Sequence, residues 1–394
     1  MSKKVLYLVD VIETGGAERI IIRIASELSE FSTSYLTSLK KSNGYSNYDL
    51  ANVNYIQCNS AESGSSIFKL YYFVKTLLFL RDFCKKEKID VVVSFLERSN
   101  VTAYLIGRLL GVKVVSSVRN NVKTQYDNSF FRRIFSKYIL KYVYQRVDVL
   151  VSLSDGVACQ LKNYLELDRK IITVPNPYPI EQLYNKSREN LSADARLFTA
   201  SPYFSACGRL SHQKGFDHLL KVYFYYRKNG GKANLVILGE GEDRKYLEGL
   251  ISLYSLDDYV FLVGYRLDAP AIISSSIGFV FTSRWEGFGN AALESMAYQI
   301  PLLSVDCDFG PREILELSNV KQNYPIVCSA GILTEPMSNV FLPRQPLDSG
   351  EAMLMNAMLN FDSFSFSADS MAKIAQKYNK IIVMDKWKEV ILAD

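Results

Sequence analysis

The sequence predicts an α/β protein made of two successive doubly wound parallel sheets, and three observations lead there. Short apolar runs rich in β-branched residues alternate with segments of helical period, and the alternation breaks off near the middle of the chain and begins again. The length of 394 residues, 48% of them apolar, supplies more core than one domain usually holds. No repeat of solenoid period is visible.

In the first half the strands read VLYLVD, SYLTSL, VVVSFL and VKVVSSV, with helices expected over Ala17 to Leu28, Phe68 to Lys86 and Asn100 to Leu110. In the second half the strands FSACGRL, NLVILG, YVFLVG, IGFVFTS and IPLLSV are again separated by helical patterns. Each half therefore reads as a parallel sheet with helices on both faces. The join falls in Val174 to Leu197, where three prolines and a run of polar residues end the first alternation. The expected domains are 1–180 and 198–369, followed by a last helical stretch over 370–394.

Composition narrows the function. No stretch offers the roughly 18 uninterrupted apolar residues of a membrane span. Lys3 and Lys4 lead into a strand and not into a signal-peptide apolar region, so a cytoplasmic location is expected. The six cysteines, Cys58, Cys84, Cys159, Cys207, Cys307 and Cys328, lie far apart with no CxxC pair, and only His212 and His218 accompany them. Neither a zinc site nor a disulfide framework is expected. Residues 1–180 hold 25 Lys and Arg against 16 Asp and Glu, whereas the remainder holds 21 against 25, so the basic charge belongs to the first half.

That charge clusters with aromatics in Ile67 to Lys88 and in Phe130 to Arg146. On a helix the latter segment sets Phe131, Ile134, Phe135, Tyr138, Ile139 and Tyr142 near one face, with Arg132, Arg133, Lys137 and Lys141 beside it. An interfacial helix on anionic lipid and a core helix with a solvated basic edge both fit this pattern. Nucleic acid is not expected as a partner, because no recognised module accompanies the cations and the pI of 8.6 is modest.

The most informative segment runs from Ser283 to Ile314, SRWEGFGNAALESMAYQIPLLSVDCDFGPREI. Gly287 and Gly289 permit close approach of backbone to a ligand, Asn290 is the expected N-cap, and AALESMAY reads as helix. The amides and the positive dipole end of that helix would then face a pyrophosphate. Glu286 precedes the turn and Glu294 lies one turn inside the helix. Each carboxylate can accept two hydrogen bonds side by side, which suits the vicinal hydroxyls of a hexose and of a ribose. A first-turn Glu that merely complements the helix dipole is the structural alternative for either residue. In SACGRLSHQKGFDHLL, Arg209 follows the strand and Lys214 precedes Gly215, so a forked cation and a point charge stand at the carboxyl edge of the sheet.

With its two glutamates separated by seven residues and followed by the S-x-D-C-x-x-G-P-x-E loop, this segment resembles the signature of the retaining glycosyltransferases of family 4. Gly15, Gly16, Ala17 and Glu18 resemble that family's GGAE turn, GRLSHQKGFDHLL its phosphate-binding loop, and LVILGEGEDRKYLEGL its GxG turn, so the likeness covers most of the chain. The resemblance implies the GT-B architecture, two facing Rossmann-like domains with a cleft between them, the last helix crossing back onto the first. It implies a donor site of Gly15, Gly16, Arg209, Lys214, Gly239, Gly241, Tyr265, Arg266, Glu286, Gly287, Phe288, Gly289, Asn290 and Glu294. Of these, Arg209, Lys214 and Glu286 are the catalytic candidates, and Tyr265 and Arg266, within Gly264 to Asp268, are the candidates for the base.

Acceptor candidates are Glu97, Arg119 and Asn120. Where many relatives place a His-containing loop this chain has Arg119, Asn120 and Asn121, which leaves no histidine there. The implied reaction is retaining transfer of a hexose or N-acetylhexosamine from a UDP-sugar to a lipid-linked saccharide, such as an undecaprenyl-diphosphate-linked O-antigen or capsule intermediate. It would take place on the inner face of a bacterial membrane without a metal or other cofactor. Asp306 and Asp308 spell a DxD, which binds divalent ions in unrelated glycosyltransferases, but their place after a late strand gives them no metal role in the family. GEGEDR is not a dinucleotide fingerprint, since Arg244 occupies its third glycine position. A sugar-nucleotide epimerase and a non-catalytic sugar-nucleotide sensor are the alternatives.

Overall fold

The computed structural model describes residues 2–12, 16–40, 52–58, 66–126, 130–318, 320–321 and 323–393. The chain divides into two compact units, Met1–Pro177 with Lys380–Asp394, and Tyr178–Asn379. The division falls inside the expected join. The final stretch differs from expectation: the Ala368–Gln376 helix belongs to the second unit, and only the Lys380–Leu392 helix belongs to the first.

The first unit holds seven parallel strands: β1 Lys3–Val9, β2 Ser32–Ser38, β3 Val53–Gln57, β4 Val91–Phe95, β5 Lys113–Val118, β6 Val149–Ser152 and β7 Ile172–Thr173. Their order in the sheet is β3-β2-β1-β4-β5-β6-β7. Val5 to Val9 of β1 are fully buried, as strands covered on both faces require. The Gly16–Leu28 helix packs on β1 and β2, the Glu97–Leu110 helix packs on β4 and β5, and the Ser66–Glu87 helix lies against the latter helix. The Lys380–Leu392 helix packs beside Gly16–Leu28. Its Trp387 is completely buried in the core formed by Val5, Tyr7, Ile21 and Phe95, with its ring centroid 5.7 Å from that of Phe95. The returning segment thus completes the first core. Strands β3, β6 and β7 were not legible in advance. β3 is half exposed and β7 has two residues, so neither carries the continuous apolar run that marks a central strand.

The Phe130 to Arg146 segment is not one regular helix. Phe130–Ile134 and Lys141–Tyr144 are α-helical, and Phe135–Leu140 between them is a π-helix. The wider turn buries Ser136, Leu140, Val143 and Tyr144, whereas Phe131 (81% exposed), Ile134, Tyr138 (73%), Ile139 and Tyr142 stay in solvent. Phe68, Leu70, Tyr71, Val74, Leu78 and Phe79 of the Ser66–Glu87 helix are exposed as well. The core-helix alternative fails for these residues.

The second unit contains β8 Tyr203–Cys207, β9 Asn234–Leu238, β10 Val260–Gly264, β11 Gly278–Phe281, β12 Leu302–Val305, β13 Ile326–Cys328 and β14 Gly331–Thr334. They are ordered β10-β9-β8-β11-β12-β14-β13, all parallel except β13, which pairs antiparallel with β14. Strand order reverses beside β8, between β9 and β11. Open α/β sheets bind ligands beyond the carboxyl ends of strands at such a point.

Behind this sheet, Glu351 fastens the Ser349–Leu359 helix to the Phe216–Lys228 helix. Its carboxylate meets His218 Nδ1 at 2.6 Å and Lys221 Nζ at 2.7 Å, and it accepts the Asp348 amide at 2.9 Å. Burial pushes the Glu351 carboxyl up, but the hydrogen bonds from His218 and Lys221 outweigh burial and hold it below its ordinary value. A depressed carboxyl pKa contributes stability above the ordinary carboxylate range and loses it as pH falls through the depressed value. Glu351→Gln is therefore expected to cost about 3 kcal/mol at neutral pH. In urea unfolding the gap to wild type should narrow as pH is lowered into the acid range.

Candidate functional site

The loops that follow β8 and β11 meet at the reversal of strand order in the second unit. Beyond β8 the chain passes through Arg209 into a short 3₁₀ turn, His212–Lys214, and then the Phe216–Lys228 helix. Beyond β11 it passes through Ser283 and Glu286 to Gly289, which caps the Asn290–Ala297 helix at φ 90°. Glycine reaches that left-handed conformation without strain. Asn290 is therefore the first helical residue and not the N-cap, and its Oδ1 accepts the Tyr178 hydroxyl at 2.6 Å.

Lys214 and Glu286 come together. The ammonium donates to Glu286 Oε1 at 2.6 Å, and Ser283 Oγ donates to the same oxygen at 2.7 Å. The lysine side chain is 18% exposed and that of Glu286 10%. Burial pulls the Lys214 ammonium down, but the adjoining Glu286 carboxylate outweighs burial and holds its pKa above the ordinary lysine value. Lys214 is thus a firm cation at neutral pH, in a place that water screens poorly. Arg209 is exposed on the same loop. Glu294 lies half-buried one turn into the helix, where its charge, after burial itself, raises the pKa of Tyr298 and helps push the Cys207 thiol up to about 12.

Several expected donor residues have other work. A Cβ on Gly239 would lie 1.9 Å from the Gly208 carbonyl oxygen, and one on Gly241 would lie 2.1 Å from that of Leu210. These glycines let the β9 loop pack on the β8 loop, a reason independent of any ligand. Phe288 is 1% exposed and packs on Tyr378 at 5.0 Å, so its side chain supports the turn from beneath. Gly287 is half-buried within that turn. Tyr265 is 68% exposed, and Arg266 is engaged by Asp194, Asp268 and Ser192. Arg266 therefore clamps residues 192–194 to the segment after β10.

Asp306 does not pair with Asp308. Its carboxylate takes Arg312 Nη2 and the Tyr324 hydroxyl, each at 2.5 Å, while the Asp308 carbonyl accepts the Glu286 amide at 3.1 Å. Among the described residues, His218, Asp348 and Glu351 bring metal-ligand atoms within 4.8 Å of one another. Lys221 Nζ, bonded to Glu351, already supplies the cation there.

In the first unit the order reverses beside β1, between β2 and β4. Gly15 lies outside the described residues, and Gly16 opens the Gly16–Leu28 helix. Glu97, 3% exposed, opens the helix after β4, and Asp10 at the end of β1 accepts the Ser99 amide at 2.9 Å and its hydroxyl at 2.6 Å. Burial raises the pKa of Tyr126, and the charges of Glu97 and Asp10 raise it further, which puts both carboxylates near one phenol. Asp10 escaped the sequence reading, although its position at a strand end beside a glycine turn was the available signal. Arg119 is 4% exposed, lies 4.6 Å over the Phe95 ring and donates to Asn176, so it braces the end of the first unit; Asn120 is exposed.

Two doubly wound sheets, the second presenting a half-buried Lys–Glu pair and a helix terminus at its switch point, define the GT-B class. The description "Glycosyltransferase Family 4" matches residues 14–182, and "Glycosyl transferases group 1" matches residues 187–327. An uncharacterized glycosyltransferase of Methanocaldococcus jannaschii is 32% identical over 72% of this chain and 73% of its own. The N-acetylgalactosamine-N,N'-diacetylbacillosaminyl-diphospho-undecaprenol 4-alpha-N-acetylgalactosaminyltransferase of Campylobacter jejuni is 26% identical over 76% of this chain and 80% of its own. Among solved structures, Anabaena HepE in complex with UDP and glucose superimposes with a TM-score of 0.75 over 100% of both chains at 16% identity, a likeness of fold. The chain belongs to the GT-B glycosyltransferases, with a family 4 first half and a group 1 second half.

The packing at Gly239 yields a direct check. Its φ of 133° and the 1.9 Å approach leave no room for a side chain. Gly239→Ala is expected to lower stability by about 2 kcal/mol or more, read as a fall in the thermal midpoint.

Proposed function

We propose that this glycosyltransferase moves a hexose or N-acetylhexosamine from a UDP-sugar to a lipid-linked saccharide, with retention of anomeric configuration and without a metal. The observation that carries the reading is the Lys214–Glu286 pair, 2.6 Å apart beside the start of the Asn290–Ala297 helix. A nucleotide sugar presents a diphosphate next to a hydroxyl-rich ring, and this site presents cations next to a carboxylate.

In this reading Arg209, Lys214 and the helix terminus take up the charge of the departing diphosphate, replacing what a divalent ion would otherwise supply. Glu286 holds the sugar hydroxyls as the ring gains oxocarbenium character, and Glu294 holds the ribose. Diphosphate binding draws Lys214 from Glu286 and frees the carboxylate for the sugar, so one rearrangement prepares both. The acceptor hydroxyl attacks on the face the diphosphate leaves, and its proton passes to that leaving group. The carboxylates Asp10 and Glu97 stand at the corresponding edge of the first sheet and are the residues nominated to position the acceptor.

A lipid-linked acceptor is supported by relatives, among them the Campylobacter enzyme and a UDP-Gal:alpha-D-GlcNAc-diphosphoundecaprenol alpha-1,3-galactosyltransferase of Escherichia coli. The surface of the first unit supports it too. Residues 66–87 and 130–146 carry ten Lys and Arg against two acids, beside the exposed aromatics described above. Aromatic residues with basic neighbours suit the interface of an anionic bilayer, here the inner face of a cell membrane. No helix among the described residues is long and apolar enough to cross a membrane. Bacterial surface polysaccharide assembly is the proposed setting.

Two experiments test this reading. With UDP-, GDP- and ADP-sugars offered in the presence of EDTA, turnover of a UDP-sugar is expected, and Glu286→Ala should lower kcat by about 100-fold or more with the fold intact; near-normal rates would remove Glu286 from the chemistry. Sedimentation with vesicles should show binding to anionic lipid that weakens with salt and in a Phe131→Ser, Tyr138→Ser double variant. Equal binding to neutral vesicles, or none to anionic ones, would count against the membrane surface.

A further inference from the structure

Arg284 has no part in the donor reading, yet its side chain is 3% exposed and strongly held. Its guanidinium grips the Asp217 carboxylate through Nη1 at 3.0 Å and Nη2 at 2.7 Å, and Nη1 also donates to the His212 carbonyl at 2.6 Å. Nε remains buried without a partner among the described residues. Burying a guanidinium with a donor unsatisfied is costly, so the remaining contacts have to outweigh that cost.

Those contacts join two segments. Asp217 and His212 bracket Lys214 on the β8 loop, and Arg284 stands two residues before Glu286 on the β11 loop. Around the ion pair the backbones close like a short ladder. The Arg284 amide donates to the Gln213 carbonyl at 2.8 Å, Gln213 Nε2 donates to the Trp285 carbonyl at 2.9 Å, and Thr282 Oγ1 donates to the Lys214 carbonyl at 3.1 Å. The ladder runs along the backbones that carry the two site residues.

We propose that the Arg284–Asp217 pair is a positioning latch that holds the Lys214 loop in register with the Glu286 turn, so that both side chains meet one donor molecule. The inference rests on the donor reading above and assigns Arg284 and Asp217 no contact with substrate. Lys214 and Glu286 are 72 residues apart in sequence, and lysine is a flexible point charge that depends on its surroundings for a fixed position. Arginine suits the latch because its planar fork reaches a carboxylate and a carbonyl together. A lysine at 284 keeps the charge and loses that geometry.

A double-mutant cycle on UDP binding by the full chain, followed by titration calorimetry, separates positioning from mere stability. Arg284→Gln should weaken UDP by about tenfold when Lys214 is present and by less than about twofold in a Lys214→Ala background, because the latch acts through that lysine. Arg284→Lys should not restore binding. Asp217→Asn, close to isosteric, should reproduce the pattern and serves as the second route if Arg284→Gln folds poorly by circular dichroism. Equal losses in both backgrounds, or unchanged UDP affinity in Arg284→Gln and Asp217→Asn, would overturn the latch while leaving the donor reading intact. Failure of the wild-type chain to bind UDP would overturn the donor reading and the latch with it.

Discussion

A parallel sheet covered on both faces leaves its backbone nowhere to meet polar ligands except at its ends, and the chemistry of this protein follows from that constraint. Val5 to Val9 of β1 and Leu235 to Leu238 of β9 are buried almost completely. Loops that leave adjacent strands in opposite directions part at a reversal of strand order, and a crevice opens there. In the second unit this brings together the Arg209 to Gly215 loop and the Thr282 to Gly289 turn. In the first it brings together Asp10 and the Glu97 helix start.

Placing charge at such an edge has a cost that the structure meets by pairing. Lys214 loses solvation, yet remains an ammonium because Glu286 lies 2.6 Å away, and Ser283 helps to hold that carboxylate. Behind the sheet the same device is used structurally, with Glu351 between His218 and Lys221. Exposure separates the two pairs: the Glu351 side chain is 1% exposed, whereas that of Lys214 is 18% exposed.

Much of this was legible in the residues themselves. The central strands, the glycine turn before Asn290, and Arg209 and Lys214 at a strand end each carry a local signal, since periodicity, glycine and charge act within a few residues of chain. Where reading stopped, the signal was distant or weak. Strands β3 and β7 are too short or too exposed to mark themselves. Asn290 was displaced from its expected cap by Gly289, whose positive φ ends the turn one residue earlier. The packing of Phe288 on Tyr378 and the hold of Asp194 and Asp268 on Arg266 were not legible either. Tyr378 and Asp194 lie dozens of residues away along the chain, although Asp268 is only two residues from Arg266.

By itself the sequence determined the succession of two α/β units, the basic aromatic character of the first, and the residue types at each strand end, because these depend on neighbours along the chain. Only the tertiary structure decided which charges pair, that the last helix seats Trp387 in the first core, and that Arg284 closes on Asp217 beside the loops that carry Lys214 and Glu286. Burial and hydrogen bonding are set by groups far apart in sequence, and no local pattern encodes which of several cations a carboxylate will find once water is removed.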